Sequence, residues 1–133
     1  MARTKFEPRQ GMVLFAENKR RVSAFYQATL GLKAVESEPS HDLLRGGSCE
    51  IVVHAIPRKI AAGIKITRPP EAREHAAIKP TFVVKSLDKV RVAAASTGGL
   101  LKPPSETWHF CGCSVLDGMD PEGNQLQFKQ RDA

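Results

Sequence analysis

The chain has 133 residues, 41% hydrophobic and 26% charged, with 20 basic against 14 acidic residues for a net charge of +6. A chain of this length buries about 65–70% of its unfolded surface, enough for a real core, so we expect a single domain over residues 1–133. The basic excess is spread out and not interleaved with aromatics, which argues against a nucleic-acid surface, and no stretch is long and apolar enough to span a membrane as a helix.

Met1, Ala2, Arg3, Thr4 and Lys5 hold no apolar core of the kind an export signal needs. The three cysteines lack disulfide-scaffold spacing, which suits a reducing, cytoplasmic setting. Residues 12–15 form a short apolar run that predicts a first strand. Asn18 offers an N-cap for a helix over 19–30, with Val22, Phe25, Tyr26 and Leu30 as its apolar stripe and Gly31 as its left-handed stop. Lys19, Arg20 and Arg21 put positive charge in the first turn, the wrong sign for the helix dipole. We read them as a solvated face, with a phosphate site as the alternative. Residues 32–38, 41–45 and 48–56 read as three strands, with Pro39-Ser40 and Gly46-Gly47 as turns.

Residues 58–78, with Pro69-Pro70 and a charged run after them, read as a connector between a first module at 9–57 and a second at 79–131. The second module restarts with a strand at 81–84. Ser86 caps a helix over 87–97, whose apolar positions are Leu87, Val90 and Ala94, and Gly98-Gly99 ends it. Residues 107–116 and 125–130 supply further strands. Between them, Asp120, Pro121, Glu122, Gly123 and Asn124 make a hairpin corner: Pro121 presets φ, Gly123 supplies a left-handed residue, and Asp120 and Asn124 can bond nearby backbone. The order of elements therefore repeats once, without repeating residue identities.

The Asp-Pro-Glu-Gly-Asn string resembles a signature near the end of the vicinal oxygen chelate superfamily, which contains glyoxalase I, the bleomycin-resistance proteins and the extradiol dioxygenases. The segment Ser23, Ala24, Phe25, Tyr26 followed by Leu30-Gly31-Leu32 resembles that superfamily's first helix, and Glu106-Thr107-Trp108 its tryptophan-containing strand start. With Gly98-Gly99, the resemblance covers nearly the whole chain. It implies an α+β fold of two βαβββ modules whose curled mixed sheets surround a concave cavity, and a homodimer.

Strand alternation assigns the faces. Cys49, Ile51 and Val53 point under the helices, leaving Glu50, Val52 and His54 toward the cavity. Leu126 and Phe128 pack inward and leave Gln127 on the cavity side; Trp108 and Phe110 are expected to pack, leaving His109, Cys111 and Cys113 facing the cavity. The expected core is Phe25, Leu30, Ile51, Val53, Phe82, Val84, Trp108, Phe110, Leu126 and Phe128, with Val13, Phe15, Val52 and Val83 as cavity walls. His109, Cys111 and Cys113 invite a metal reading, but same-face residues on a strand lie about 6.5–7 Å apart, long for chelating one ion. We read them as packing or ligand contacts.

The superfamily's metalloenzymes draw ligands from the first and last strand of each module. Carried over by motif spacing, those positions fall on Gly11, on or near Glu50, on Lys79 and on Gln127. Glycine has no ligand atom and a lysine ammonium must lose its proton to bind. Neighbouring Gln10 is the nearest alternative and Pro80 is none. The expectation is no metal cofactor. The expected ligand-binding residues are Phe15, Glu50, His54, His109, Cys111 and Gln127, with Glu50 the candidate general base if there is catalysis; His41 and His75 are expected to have no chemical role. Two readings stay open: a metal-free protein that holds a small organic molecule, and an enzyme of the superfamily, either metal-dependent or an isomerase using Glu50.

Overall fold

The apolar run, the Asn18 cap and the three extended segments of the first half become β1 (Gln10–Ala16), α1 (Lys19–Leu30), β2 (Lys33–Glu38), β3 (His41–Gly46) and β4 (Cys49–Ala55). A short α2 (Arg58–Ala61) follows in the connector, where sequence alternation gave no helix. The second half is β5 (Thr81–Val83), α3 (Leu87–Ser96), β6 (Leu100–Leu101), β7 (Trp108–Phe110), β8 (Cys113–Met119) and β9 (Gln125–Arg131). This computed structural model describes residues 6–73 and 76–133, so His75 and residues 1–5 lie outside the described residues.

Each half builds its own sheet. The first runs β1-β4-β3-β2, and the second runs β5-β9-β8-β6 with β7 also paired to β8. The first and last strands of each half are parallel and the other pairs antiparallel, because only the first connection crosses over through a helix. The arrangement is α+β, two βαβββ modules. In the second, one strand is split into β6 and β7 around Pro103 and a 3-10 turn at Pro104–Glu106.

The core lies between the sheets and the two helices, which also contact each other. Phe25, Tyr26, Leu44, Ile51, Val53, Leu126 and Phe128 are fully buried there, while Leu30, Phe82 and Val84 pack partly buried at its margin. Trp108 and Phe110 do not belong to it. They are 43% and 54% exposed, on the face away from the helices. The strand read over 107–116 is in fact a hairpin: Cys111 and Gly112 both have positive φ, 48° and 74°, and reverse the chain so that Phe110 opposes Cys113. Two tight left-handed positions fit a primed hairpin turn.

The corner at 120–124 fastens the halves together. Asp120 is wholly buried; its carboxylate accepts from the Tyr26 hydroxyl at 2.8 Å, from the backbone N–H of Glu122 at 2.9 Å and of Asn124 at 3.1 Å, and from the Asn124 amide at 2.8 Å. Glu122 reaches back to the first half and accepts from the backbone N–H of Glu17 at 2.9 Å and Asn18 at 2.8 Å. This places a carboxylate at the start of α1, the charge its first turn lacks. Lys19 is not solvated as expected. It donates to Asp42 at 2.7 Å, and Ser23 and Ser37 donate to the same carboxylate at 2.6 Å each.

Two of these groups should set the pH limits of stability. Burial works to raise the pKa of Asp42, but the hydrogen bonds from Lys19, Ser23 and Ser37 and the Lys19 charge outweigh it and hold the carboxyl below its usual value. Its contribution is therefore complete above about pH 4, the unfolded value, and lost as pH falls further. Burial first, then the Asp120 charge and hydrogen bond, push Tyr26 well above its usual value. The folded state thus keeps a proton that the unfolded chain releases, and stability falls as pH rises past about 10. A plot of urea midpoint against pH should show both limbs, and Tyr26→Phe should flatten the alkaline one. An unchanged alkaline limb in that variant would remove Tyr26 from the account.

Candidate functional site: the inter-sheet cleft and the helix-free faces

Both helices lie on the same side, so the faces of the two sheets that carry no helix also share a side. The edge strands β1 and β5 leave a cleft of about 940 Å³ lined from both sides, by Met12, Leu14, Phe82 and Leu126 of the core side with the end of α1, and by Val13 and Val83 of the helix-free side. Neither edge is paired to the other sheet. Of the expected cavity walls, Val13 and Val83 line this cleft and Phe15 and Val52 do not. Its lining depends on where two strand edges approach, and alternation within one strand does not report that.

Of the six residues expected to contact a ligand, Phe15, Glu50, His54 and Gln127 do stand on the helix-free faces. His109 and Cys111 do not. His109 sits opposite Ser114 and next to Asp132 on the other face, 3.7 Å from its carboxylate, and Cys111 occupies the tip of the hairpin. The turn at 111–112 reverses the direction of the chain, so alternation counted straight through it places Cys111 wrongly. The residues on β7 that do share a face with Gln127 and Lys129 are Trp108 and Phe110, since Trp108 opposes Val115, which opposes Lys129. Cys113 stays on that face as expected.

On the first sheet, Phe15, His54 and His41 lie in one row across β1, β4 and β3. Phe15 stacks on His54 with ring centroids 5.6 Å apart, and His54 lies 5.7 Å from His41. His41 bonds Glu36 at 2.7 Å and Ser40 at 2.8 Å. Glu50 bonds neither His54 nor Gln127; the Arg45 guanidinium donates to it at 2.8 Å from the neighbouring strand. Gln127 accepts from Thr81 at 3.2 Å and donates to Asp117 at 3.5 Å, and Lys79 donates to the other oxygen of Asp117 at 3.1 Å.

The observed register tests the fit of a metal. Gly11 opposes Glu50 on parallel strands, and the equivalent partner of Gln127 is Thr81, two residues beyond the Lys79 expected from spacing. A side chain at position 11 would bring its Cβ within 2.9 Å of the Glu50 carbonyl oxygen, so the strands approach too closely there to add a ligand without a shift. The four positions are thus glycine, an Arg-paired glutamate, threonine and a hydrogen-bonded glutamine. This set does not fit a divalent ion that needs three protein ligands and an open position. Among the described residues, no three His, Cys, Asp or Glu side chains are grouped to hold a metal. The thiol nearest this region, Cys49, is pushed above its usual pKa by burial and by the Glu50 charge, so it is a poor ligand and nucleophile.

Many solved structures share this architecture. A glyoxalase/bleomycin resistance protein/dioxygenase family enzyme from Burkholderia phytofirmans PsJN superposes with a TM-score of 0.67 at 19% identity, over 91% of this chain and 96% of that one. The fold is that of the glyoxalase/bleomycin resistance/dioxygenase proteins. A glyoxalase/bleomycin resistance protein from Albidiferax ferrireducens T118 has this fold with a TM-score of 0.63 at 16% identity, covering 92% of this chain and 96% of its own. A glyoxalase family protein from Enterococcus faecalis gives 0.61 at 18% identity, over 90% and 94% of the two chains. No protein-family pattern and no curated protein matches the sequence. Among the described residues, no helix is long and apolar enough to cross a membrane.

Proposed function

We propose that this chain is a member of the glyoxalase/bleomycin resistance/dioxygenase superfamily that holds a small organic molecule without a catalytic metal, in the cleft and on the helix-free faces beside it. The observation that carries this reading is the fate of the four ligand positions: Gly11, Glu50, Thr81 and Gln127, with Glu50 and Gln127 already committed to Arg45, Thr81 and Asp117. What remains is a concave, partly apolar surface with Val13, Phe15 and Val83 exposed and a few polar anchors, His54, Glu50 and Gln127. An isomerase with Glu50 as base is less well supported, since one of its oxygens is held by Arg45. The same reading includes a homodimer. β2, six residues all exposed at the outer edge of the first sheet, offers an unpaired edge for a second chain.

Calorimetric titration of purified protein with Zn, Ni, Mn and Fe(II) tests the proposal. The expected result is no tight binding at one site per chain. A tight stoichiometric site abolished by Glu50→Ala and Gln127→Ala would overturn it. Light scattering on the same sample should give the mass of two chains, and a monomer at micromolar concentration would remove the dimer.

A further inference from the structure

On the second sheet, the row Val83, Lys129, Val115 and Trp108 crosses four strands on the helix-free side. Val115 is fully buried although no helix covers it. Trp108 and Lys129 are its direct cross-strand neighbours. Phe110 stands beside Trp108 with ring centroids 6.1 Å apart, and the Lys129 ammonium lies 5.3 Å from the centre of the Phe110 ring. Trp108 and Phe110 are both substantially exposed, as is Val83. On this sheet Lys79 is neutralised by Asp117, whereas Lys129, like Arg131 two residues on, has no carboxylate within ion-pair distance among the described residues, and of the two it is Lys129 that meets the Phe110 ring.

An exposed aromatic pair beside an unneutralised ammonium is complementary to a flat ring carrying a carboxylate. From this we infer that Trp108, Phe110 and Lys129 form a subsite for an aromatic carboxylate, with the ring stacked on Trp108 beside Phe110, whose plane is tilted 52° to the indole, and the carboxylate on Lys129. The inference rests on the small-molecule reading above and narrows its ligand class. The cation–π contact holds the ammonium over the Phe110 ring, beside Trp108, where a carboxylate can add a charged hydrogen bond. The neutral alcohol of the same shape keeps the stacking and loses that bond.

Trp108 is the only tryptophan in the chain, so its emission reports directly on the subsite. The experiment titrates the protein with cinnamate and with cinnamyl alcohol, and repeats both on Lys129→Gln and on Lys89→Gln, an exposed lysine of α3. A urea transition recorded for each variant confirms that it is folded. The expected result is a saturable emission change with cinnamate. It should weaken about tenfold or more for the alcohol and for Lys129→Gln, the size of one charged hydrogen bond, and stay unchanged in Lys89→Gln. No saturable change with cinnamate would overturn the inference, as would equal affinity for both probes or insensitivity to Lys129→Gln. If both probes bind alike, small-molecule binding stands and only the carboxylate assignment fails. A blue shift of the emission on raising protein concentration without probe would mean that a second chain covers the platform, and would also overturn it.

Discussion

Asp120→Ala should cost about 3–5 kcal/mol and lower the melting temperature by roughly 10–20 °C. The carboxylate is wholly buried and satisfies four donors: the Tyr26 hydroxyl, two backbone N–H groups and the Asn124 amide. Removing it leaves the buried Tyr26 hydroxyl and Glu122 N–H and the half-buried Asn124 donors unpaired, and each unsatisfied buried donor costs about 1–3 kcal/mol before relaxation. Tyr26→Phe should cost less, about 1–2 kcal/mol, because Asp120 keeps its other three partners. The double variant should cost less than the sum of the two, since each single change already breaks the shared bond. Urea transitions of the three variants give all the terms. An Asp120→Ala protein within about 1 kcal/mol of the parent would show that the corner is only a turn.

Gly99→Ala should be nearly as severe, by a different mechanism. A Cβ at this position would overlap the Phe25 ring edge, lying 2.6 Å from its Cδ2 and 2.7 Å from the Met119 carbonyl oxygen. Neither neighbour can give way. Phe25 is fully buried and packed edge-on against Tyr26 at 5.1 Å, and the carbonyl belongs to β8. Overpacking a fixed core costs about 1–3 kcal/mol and sometimes more, and we expect about 3 here. Gly31→Ala is the control: φ is +68° but no atom lies within 4 Å of the added Cβ, so only backbone strain of about 1 kcal/mol applies. If Gly99→Ala proved no more destabilising than Gly31→Ala in the same urea assay, steric closeness would not be the reason for glycine at 99.

The contrast between the two halves shows which features a sequence exposes. In the first half, strands are uninterrupted, so counting by twos puts Glu50, Val52 and His54 on one face and Ile51 and Val53 on the other, as observed. In the second, taking Trp108 and Phe110 as the packing side misplaced them and His109, and Cys111 and Gly112 form a tight turn, without the Asn-Gly or Asp-Gly signal that marks one, so that counting on through it misplaced Cys111. Trp108 and Phe110 have the composition of core residues, and nothing local tells the difference between packing inward and lining an open face. The site was legible as a set of faces and not as a set of partners. Arg45 is five residues from Glu50, across a hairpin, and Asp117 is ten from Gln127; such cross-strand pairs appear only when register is fixed. A two-residue difference in register likewise turned Lys79 into Thr81 opposite Gln127.

The reach of Glu122 also bears on how the chain is made. It meets the backbone of Glu17 and Asn18 across 105 and 104 residues, so the first helix emerges from the ribosome long before the carboxylate at its N-terminus exists. Until residue 122 follows, α1 starts with three lysine or arginine side chains and no acidic residue in its first turn. Contacts this distant in sequence slow folding, because the loop must close before the bond forms. A growing chain that has not yet reached residue 122 therefore lacks the two bonds that close the start of α1.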